Sequence, residues 1–337
     1  MRSYSSPSLQ RDWLASKTGL SRFSELHYRQ YVNLLSERFG RRLVSDINAD
    51  DISSLQAIRK REGKSGRTIN AEVGALRQIL KRHGVWATIS EEVSFHRENR
   101  DVGKAFSHED EERLLDALRK SRSPALLPLV VLSIDTGLRP SETRRLLNRN
   151  LQLSWRNGFV ESGEIVVAAS KTESGTGRIV PLTRRACAAL TLWLSKFPAA
   201  APDSFVFPRH RVGFAGYKRL PFLYDLDLTR PMGEWKTAWR AALKTAGLSY
   251  RFYDLRHSFV TRLAENPAVS EQTITALAGH VSKRMLEHYS HIRVTAKRAA
   301  IAALETRNEM QTPQNPPQAV DDLDSGRGED RKNFRFR

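Results

Sequence analysis

Apolar positions in the first hundred residues recur at helical spacing. In "SRFSELHYRQYVNLLSERFG" they keep a three-and-four rhythm that stops at Gly40. "NADDISSLQAIRKREG" starts on an asparagine cap with acids in its first turn and stops at Gly63. "SGRTINAEVGALRQILKRHG" sets Ile69, Val73, Leu76 and Leu80 on one face and ends at Gly84. Residues 1–88 therefore predict a compact bundle of about four short helices. From 89 to 105 the rhythm lapses into a mixed, charged stretch that suits a linker.

A second block opens at Ser107, whose spacing to Asp110 is a capping-box pattern ahead of "EERLLDALRKS". The run "ALLPLVVLSI" from Ala125 is apolar on every side and predicts a buried helix ending at Gly137. It is about half of the ~20 residues a membrane-spanning helix needs. The period then changes. "GFVESGEIVVAASKTESGTGRIVPL" alternates β-formers around a Gly and Ser turn, predicting a small antiparallel sheet with a hairpin loop near Glu173 to Gly177. Helical spacing resumes at Arg184, passes through "EWKTAWRAALKTAGL" and runs to about Thr306, so residues 106–306 form one domain. Residues 307–337, with "TPQNPPQ" and "DDLDSGRGEDRK", read as a disordered tail. The fold class expected is mainly α with a small antiparallel β-sheet.

Charge narrows the partner. The 337 residues hold 55 Lys and Arg against 37 Asp and Glu, a formal net charge of +18. Residues 1–105 carry +7, residues 106–305 carry +11, and the rest is neutral. Both blocks are basic, which points to a polyanion, with nucleic acid ahead of a membrane surface. Cys187 is the single cysteine, so an intrachain disulfide and a cysteine-rich zinc site are excluded. "MRSYSSPSLQRDWLASKTGL" has no apolar signal core, and the expectation is a cytoplasmic or nucleoid-associated protein.

Two arginines sit where a helix would not favour them. In "DTGLRPSETRRLL" Pro140 reads as the first helical residue, which puts Arg139 at the cap position. In "YRFYDLRHSFV", with Asp254 read as the cap, Arg256 falls in the first turn beside the stripe Leu255, Phe259 and Leu263. A cation there opposes the helix dipole, but makes sense if a phosphate lands where free N–H groups and an arginine fork converge. Each also suits a solvated surface position, or a pair with Glu142 or Asp254. Lys171 sits beside the hairpin loop, as a solvated lysine or a proton donor reaching into a cleft. His280 follows Gly279 in "LAGH". Tyr289 lies on the same side of its helix as Met285, Leu286 and Ile292, as a core residue would. The spacing of His288 and His291 invites a metal, but no Cys and no clear carboxylate ligand accompany them.

In order, Arg139 in "TGLRPSE", Lys171 in a hairpin, Arg256 in "YDLRHSF", His280 in "LAGH" and Tyr289 nine residues later resemble the pattern of the tyrosine recombinases, or phage-type integrases. The likeness covers most of the second block, and the first block resembles that family's helical core-binding (SAM-like) domain. The resemblance implies site-specific DNA recombination by an integrase-type catalytic domain, for integration or excision of a mobile element. Tyr289 would attack DNA to form a 3′-phosphotyrosyl link, needing neither metal, cofactor nor ATP. Arg139 and Arg256 would hold the phosphate oxygens, Lys171 would be the general acid, and His280 would donate to the phosphate. Glu142 would support Arg139, and His257 would be structural. The partner implied is double-stranded DNA with paired half-sites, clamped between two domains of a homo-tetramer, with accessory DNA-bending proteins possible.

Tyr253 departs from the pattern, since the family usually has His there, sometimes Lys. A phenol can donate to a phosphate oxygen, but phenols titrate at about 10 and accept protons poorly near neutrality. Tyr253 is therefore a substitute in the catalytic set, or only the apolar residue before its helix. The competing functions are a type IB topoisomerase-like nicking and closing enzyme, and a DNA-binding relative with weakened catalysis.

Overall fold

A computed structural model of the chain describes residues 12–98, 103–170, 172–217, 220–266, 268–281, 298 and 301–302. It divides into two compact units, 1–102 and 103–337. The architecture is helical with small antiparallel sheets, as the hydrophobic spacing predicts.

In the first unit, helices α1 (Arg22–Phe39), α2 (Ala49–Arg61), α3 (Gly66–Arg82) and α4 (Trp86–Ile89) enclose one apolar core. Each of the first three starts on a side-chain cap. Ser21 and Ser65 accept from the backbone of Ser24 and Thr68, and Asn48 exchanges two 3.0 Å bonds with Asp51. The predicted face of α3 is buried at all four positions, Ile69, Val73, Leu76 and Leu80. Arg59 of α2 forks onto the buried Glu72 of α3, with Nε 2.8 Å from Oε2. That bond satisfies a carboxylate that the core would otherwise exclude.

The second unit is built around α6 (Leu126–Thr136), apolar on nearly every side and preceded by α5 (His108–Arg119), which Ser107 caps. Among the described residues no helix is long and apolar enough to cross a membrane. Helix α6 ends on Gly137, left-handed at φ +61, and short α7 (Pro140–Arg144) follows. Strands β1 (Leu151–Arg156), β2 (Phe159–Val166) and β3 (Ile179–Pro181) form an antiparallel sheet in that order. The turn at Asn157 and Gly158, both at positive φ, joins the first two. The predicted loop over 173–177 joins β2 to β3 and closes where Gly177 N–H meets the Val167 carbonyl at 2.7 Å. Helix α8 (Arg184–Leu194) lies on β2 and α6 and buries Trp193, whose indole N–H donates to Val206 O at 2.6 Å.

Two expectations need correction. The helical run from Arg184 is broken by a long hairpin, β4 (Pro208–Ala215) paired with β5 (Leu220–Pro231). Helices α9 (Lys236–Ala246), α10 (Asp254–Glu265) and α11 (Glu271–Ala278) follow it. Asp254 is not the cap of α10 but its first residue, and Tyr253 holds the cap position without a side-chain bond. The Asp254 carboxylate instead accepts the Arg251 N–H at 2.7 Å and Arg251 Nη2 at 2.7 Å, closing the turn that leads into the helix. The expected helix toward Thr306 and the tail lie outside the described residues, apart from Arg298, Ile301 and Ala302.

Candidate active site

The described candidate residues lie at element ends in the second unit. Arg139 precedes α7, where a cation faces the positive end of the helix dipole. Glu142 offsets this misfit. Its carboxylate accepts the Arg139 backbone N–H at 2.8 Å and Arg139 Nη1 at 2.8 Å, capping the helix and neutralising the cation together. Glu142 also accepts Ser170 Oγ at 2.6 Å and Arg178 through Nη1 at 3.2 Å and Nη2 at 2.6 Å. Burial alone would raise its pKa. The bonds from Arg178, Ser170 and the Arg139 N–H outweigh that effect and hold it down to about 2.

Arg256 lies in the first turn of α10, with 2% of its surface exposed. Its Nη1 donates to the Gly137 carbonyl at 2.6 Å and its Nη2 to the His280 carbonyl at 3.3 Å. Arg139 Nη2 donates to that same His280 oxygen at 3.2 Å. Two guanidinium groups remote in sequence thus meet at one acceptor. Burial first, and then the Arg139 charge, push the Arg256 pKa down to about 10, against the opposite pull of Tyr253 and Glu142. An anion seated between them would relieve both effects.

The acceptor belongs to the turn after α11. His280 contributes its carbonyl to the arginines, while the residue as a whole is exposed. Gly279, at φ +72, lets the chain turn there, and its missing side chain matters. A Cβ on Gly279 would stand 3.1 Å from Gly175 Cα, and a Cβ on Gly175 would stand 2.4 Å from Ser170 Oγ. The loop 173–177 and the turn at 279 therefore touch backbone to backbone. Arg178 ties them further, with Nε on Leu277 O at 3.0 Å and Nη1 on Gly175 O at 2.6 Å.

Tyr253 opens α10, 40% exposed, with its ring edge-on to His257 at a centroid distance of 5.5 Å. His257 is buried, which fits a packing part in the structure. Of the six residues singled out in sequence, Arg139, Arg256 and His280 share one cluster and Tyr253 stands at the start of the same helix as Arg256. Lys171 and Tyr289 lie outside the described residues, as do His288 and His291. Among the described residues no group of three His, Cys, Asp or Glu is placed to hold a metal. Ser170 and Arg178 escaped sequence reasoning. The one signal for Arg178 was a charged residue directly before the short strand "IVP", whose Val180 is buried.

The profile of the phage integrase family matches residues 104–295. The shufflon-specific DNA recombinase of Escherichia coli is 26% identical over 270 residues, 75% of this chain, which spans 60% of that relative's length. Tyrosine recombinase XerD of Listeria monocytogenes serotype 4b is 25% identical over 276 residues, 80% of this chain and 86% of the relative. Solved integrase structures share the fold. The Tn1549 transposon integrase in complex with circular intermediate DNA aligns at TM-score 0.60 and 18% identity, over 85% of this chain and 95% of that one. The lambda integrase tetramer bound to a Holliday junction aligns at TM-score 0.54 and 16% identity, over 83% of this chain and 78% of that one.

Proposed function

Because the chain belongs to the phage integrase family and is a DNA-cleaving and rejoining tyrosine recombinase, we propose that it acts on a mobile element through the cluster around Arg139 and Arg256. The observation that carries this reading is the pair of buried guanidinium groups, Arg139 and Arg256, donating to one carbonyl oxygen, that of His280. Forks of this kind suit the two non-bridging oxygens of a phosphodiester, whose charge grows as a nucleophile adds.

Tyr289 Oη attacks the phosphorus, a bond forms from it to phosphorus, and the bond from phosphorus to the 5′ oxygen breaks. Lys171 gives its proton to that leaving oxygen, and the phenol proton leaves through solvent or a nearby base. The product is a 3′-phosphotyrosyl link and a free 5′ hydroxyl. The reverse attack by a 5′ hydroxyl of another strand completes the exchange, with the bond energy retained. His280 adds a donor to the phosphate, and Tyr253 offers a hydroxyl where relatives hold an imidazole.

The working assembly is a homo-tetramer on two duplexes, each with inverted half-sites. Support comes from the lambda integrase tetramer on its junction and from the net charge of +18. Residues 1–88 act as the core-binding domain, 89–105 as the linker and 106–306 as the catalytic domain, with 307–337 as a tail. Accessory DNA-bending proteins and a place at the cytoplasmic nucleoid fit the same reading.

The test is incubation with half-sites nicked close to the cleavage point. A covalent protein–DNA complex that survives detergent and vanishes in Tyr289→Phe is expected. Absence of any adduct on DNA that the protein demonstrably binds refutes the assignment.

A further inference from the structure

The Arg178 guanidinium is spent entirely on protein partners at the site, yet the chemistry above gives it nothing to do. It is 7% exposed and bonds both oxygens of Glu142, the Gly175 carbonyl and the Leu277 carbonyl. We propose that Arg178 is a positioning residue for recombination: it neutralises Glu142, leaving the Arg139 charge to the phosphate, and it locks the loop beside Lys171 against the turn bearing His280.

The charge part follows from the count of partners. Glu142 has one negative charge and two arginines on it. Paired with Arg139 alone, it would cancel the cation that the phosphate has to meet, and buried charges interact strongly at these separations. With Arg178 taking both carboxylate oxygens, Arg139 is held in place by Glu142 without surrendering its field, and its Nη2 still points to the shared acceptor. The geometric part follows from the glycines. A Cβ on Gly279 would come 3.5 Å from both Arg139 Nη1 and Arg178 Nη1, so the turn packs directly on the two guanidinium groups. Ser170, bonded to Arg139 and Glu142, is the chain neighbour of Lys171. Motion of the loop and motion of the turn are therefore coupled through one side chain.

This inference rests on the phosphate-clamp reading, and the experiment separates the two. Full-length wild type, Arg178→Met, Arg178→Lys, and Arg178→Met combined with Glu142→Gln are each given the nicked half-site. Affinity and the rate of adduct formation at saturating DNA are measured apart. In Arg178→Met the rate falls about 10- to 100-fold, as when the outer partner of a ligating group is removed. Affinity stays close to wild type, because Arg178 is buried and its donors are already taken by protein partners. The double variant is faster than Arg178→Met, since the acid that would cancel the Arg139 charge has gone with its partner. A double variant as slow as the single one, or affinity falling in step with rate, overturns the proposal. If Arg178→Met does not fold, Arg178→Lys decides. It keeps a charge on Glu142 but loses the fork to Gly175 and Leu277, so its rate falls at constant affinity, and a wild-type rate overturns the positioning role. Failure of wild type to form any adduct tells instead against the clamp itself.

Discussion

Replacing Glu142 with Gln removes the one described carboxylate that Arg139 and Arg178 share, and the structure sets the size of the effect. A pKa lowered from the ordinary 4.5 to about 2 corresponds to about 3 kcal/mol of stability at neutral pH. Only 3% of the side chain is exposed, so solvent screening takes little from that figure. An independent route agrees, since breaking a buried ion pair by removing one partner costs about 3 to 5 kcal/mol. The sign is set by the direction of the shift. The folded pKa lies below the unfolded one, so the contribution is complete above about 4.5 and vanishes as pH falls toward 2. At pH 7, amide hydrogen exchange in α6 should be about 100-fold faster in Glu142→Gln, each 1.4 kcal/mol being worth a factor of about ten. In urea titrations followed by tryptophan fluorescence, the gap between wild type and variant should close between pH 4.5 and 2. Unchanged exchange in the variant, or a gap that stays constant on acidification, would refute the reasoning.

Two further outcomes test other parts of the site. Tyr253→His should speed adduct formation on nicked half-sites if the phenol leaves a proton-transfer role unfilled, by up to the ~10²- to 10⁴-fold range of general acid–base groups. An equal or lower rate would make Tyr253 sufficient as it stands. Gly137→Ala meets a backbone at φ +61 and the Phe259 ring 2.3 Å from the new carbon. It should lower stability by about 1 to 3 kcal/mol, seen as a drop in melting temperature, and an unshifted melt would contradict the packing described.

Much of this was readable along the chain because local rules and the fold agree. Ser21, Asn48, Ser65 and Ser107 sit at helix starts where their side chains can accept free N–H groups, and α3 buries the stripe its spacing predicts. Arg139 and Arg256 stood out for the opposite reason, as cations placed against a helix dipole. The β4–β5 hairpin was hidden because its pattern is blurred. Prolines at 208, 221 and 231 demote a strand reading, register shifts around Arg209 break the alternation, and Phe222 and Tyr224 are exposed aromatics on an open face. Asn157 and Gly158, by contrast, carried a hairpin signal in plain view. Asp254 misled because an acid at a helix start suits the cap and the first helical position alike, and only the turn at Arg251 distinguishes them. Arg178 was passed over because most of its contacts are tertiary. Besides Gly175, three residues before it, its partners lie 36 and 99 residues away in sequence.

The cluster of three guanidinium groups around Glu142 also bears on when work is done in the reaction cycle. In water, a phosphate that gains charge must wait for solvent dipoles to turn toward it. Here Arg139, Arg178 and Arg256 are stripped of most of their water as the chain folds, and their orientations are fixed by Glu142 and by the carbonyls of Gly137 and His280. In the proposed clamp, the reorganisation that solvent would impose on every cleavage event is completed once, at folding. The lowered proton affinity of Arg256, set by its burial and by the Arg139 charge, is the trace of that transfer, and in the proposed clamp it is the tension that a phosphate would relieve.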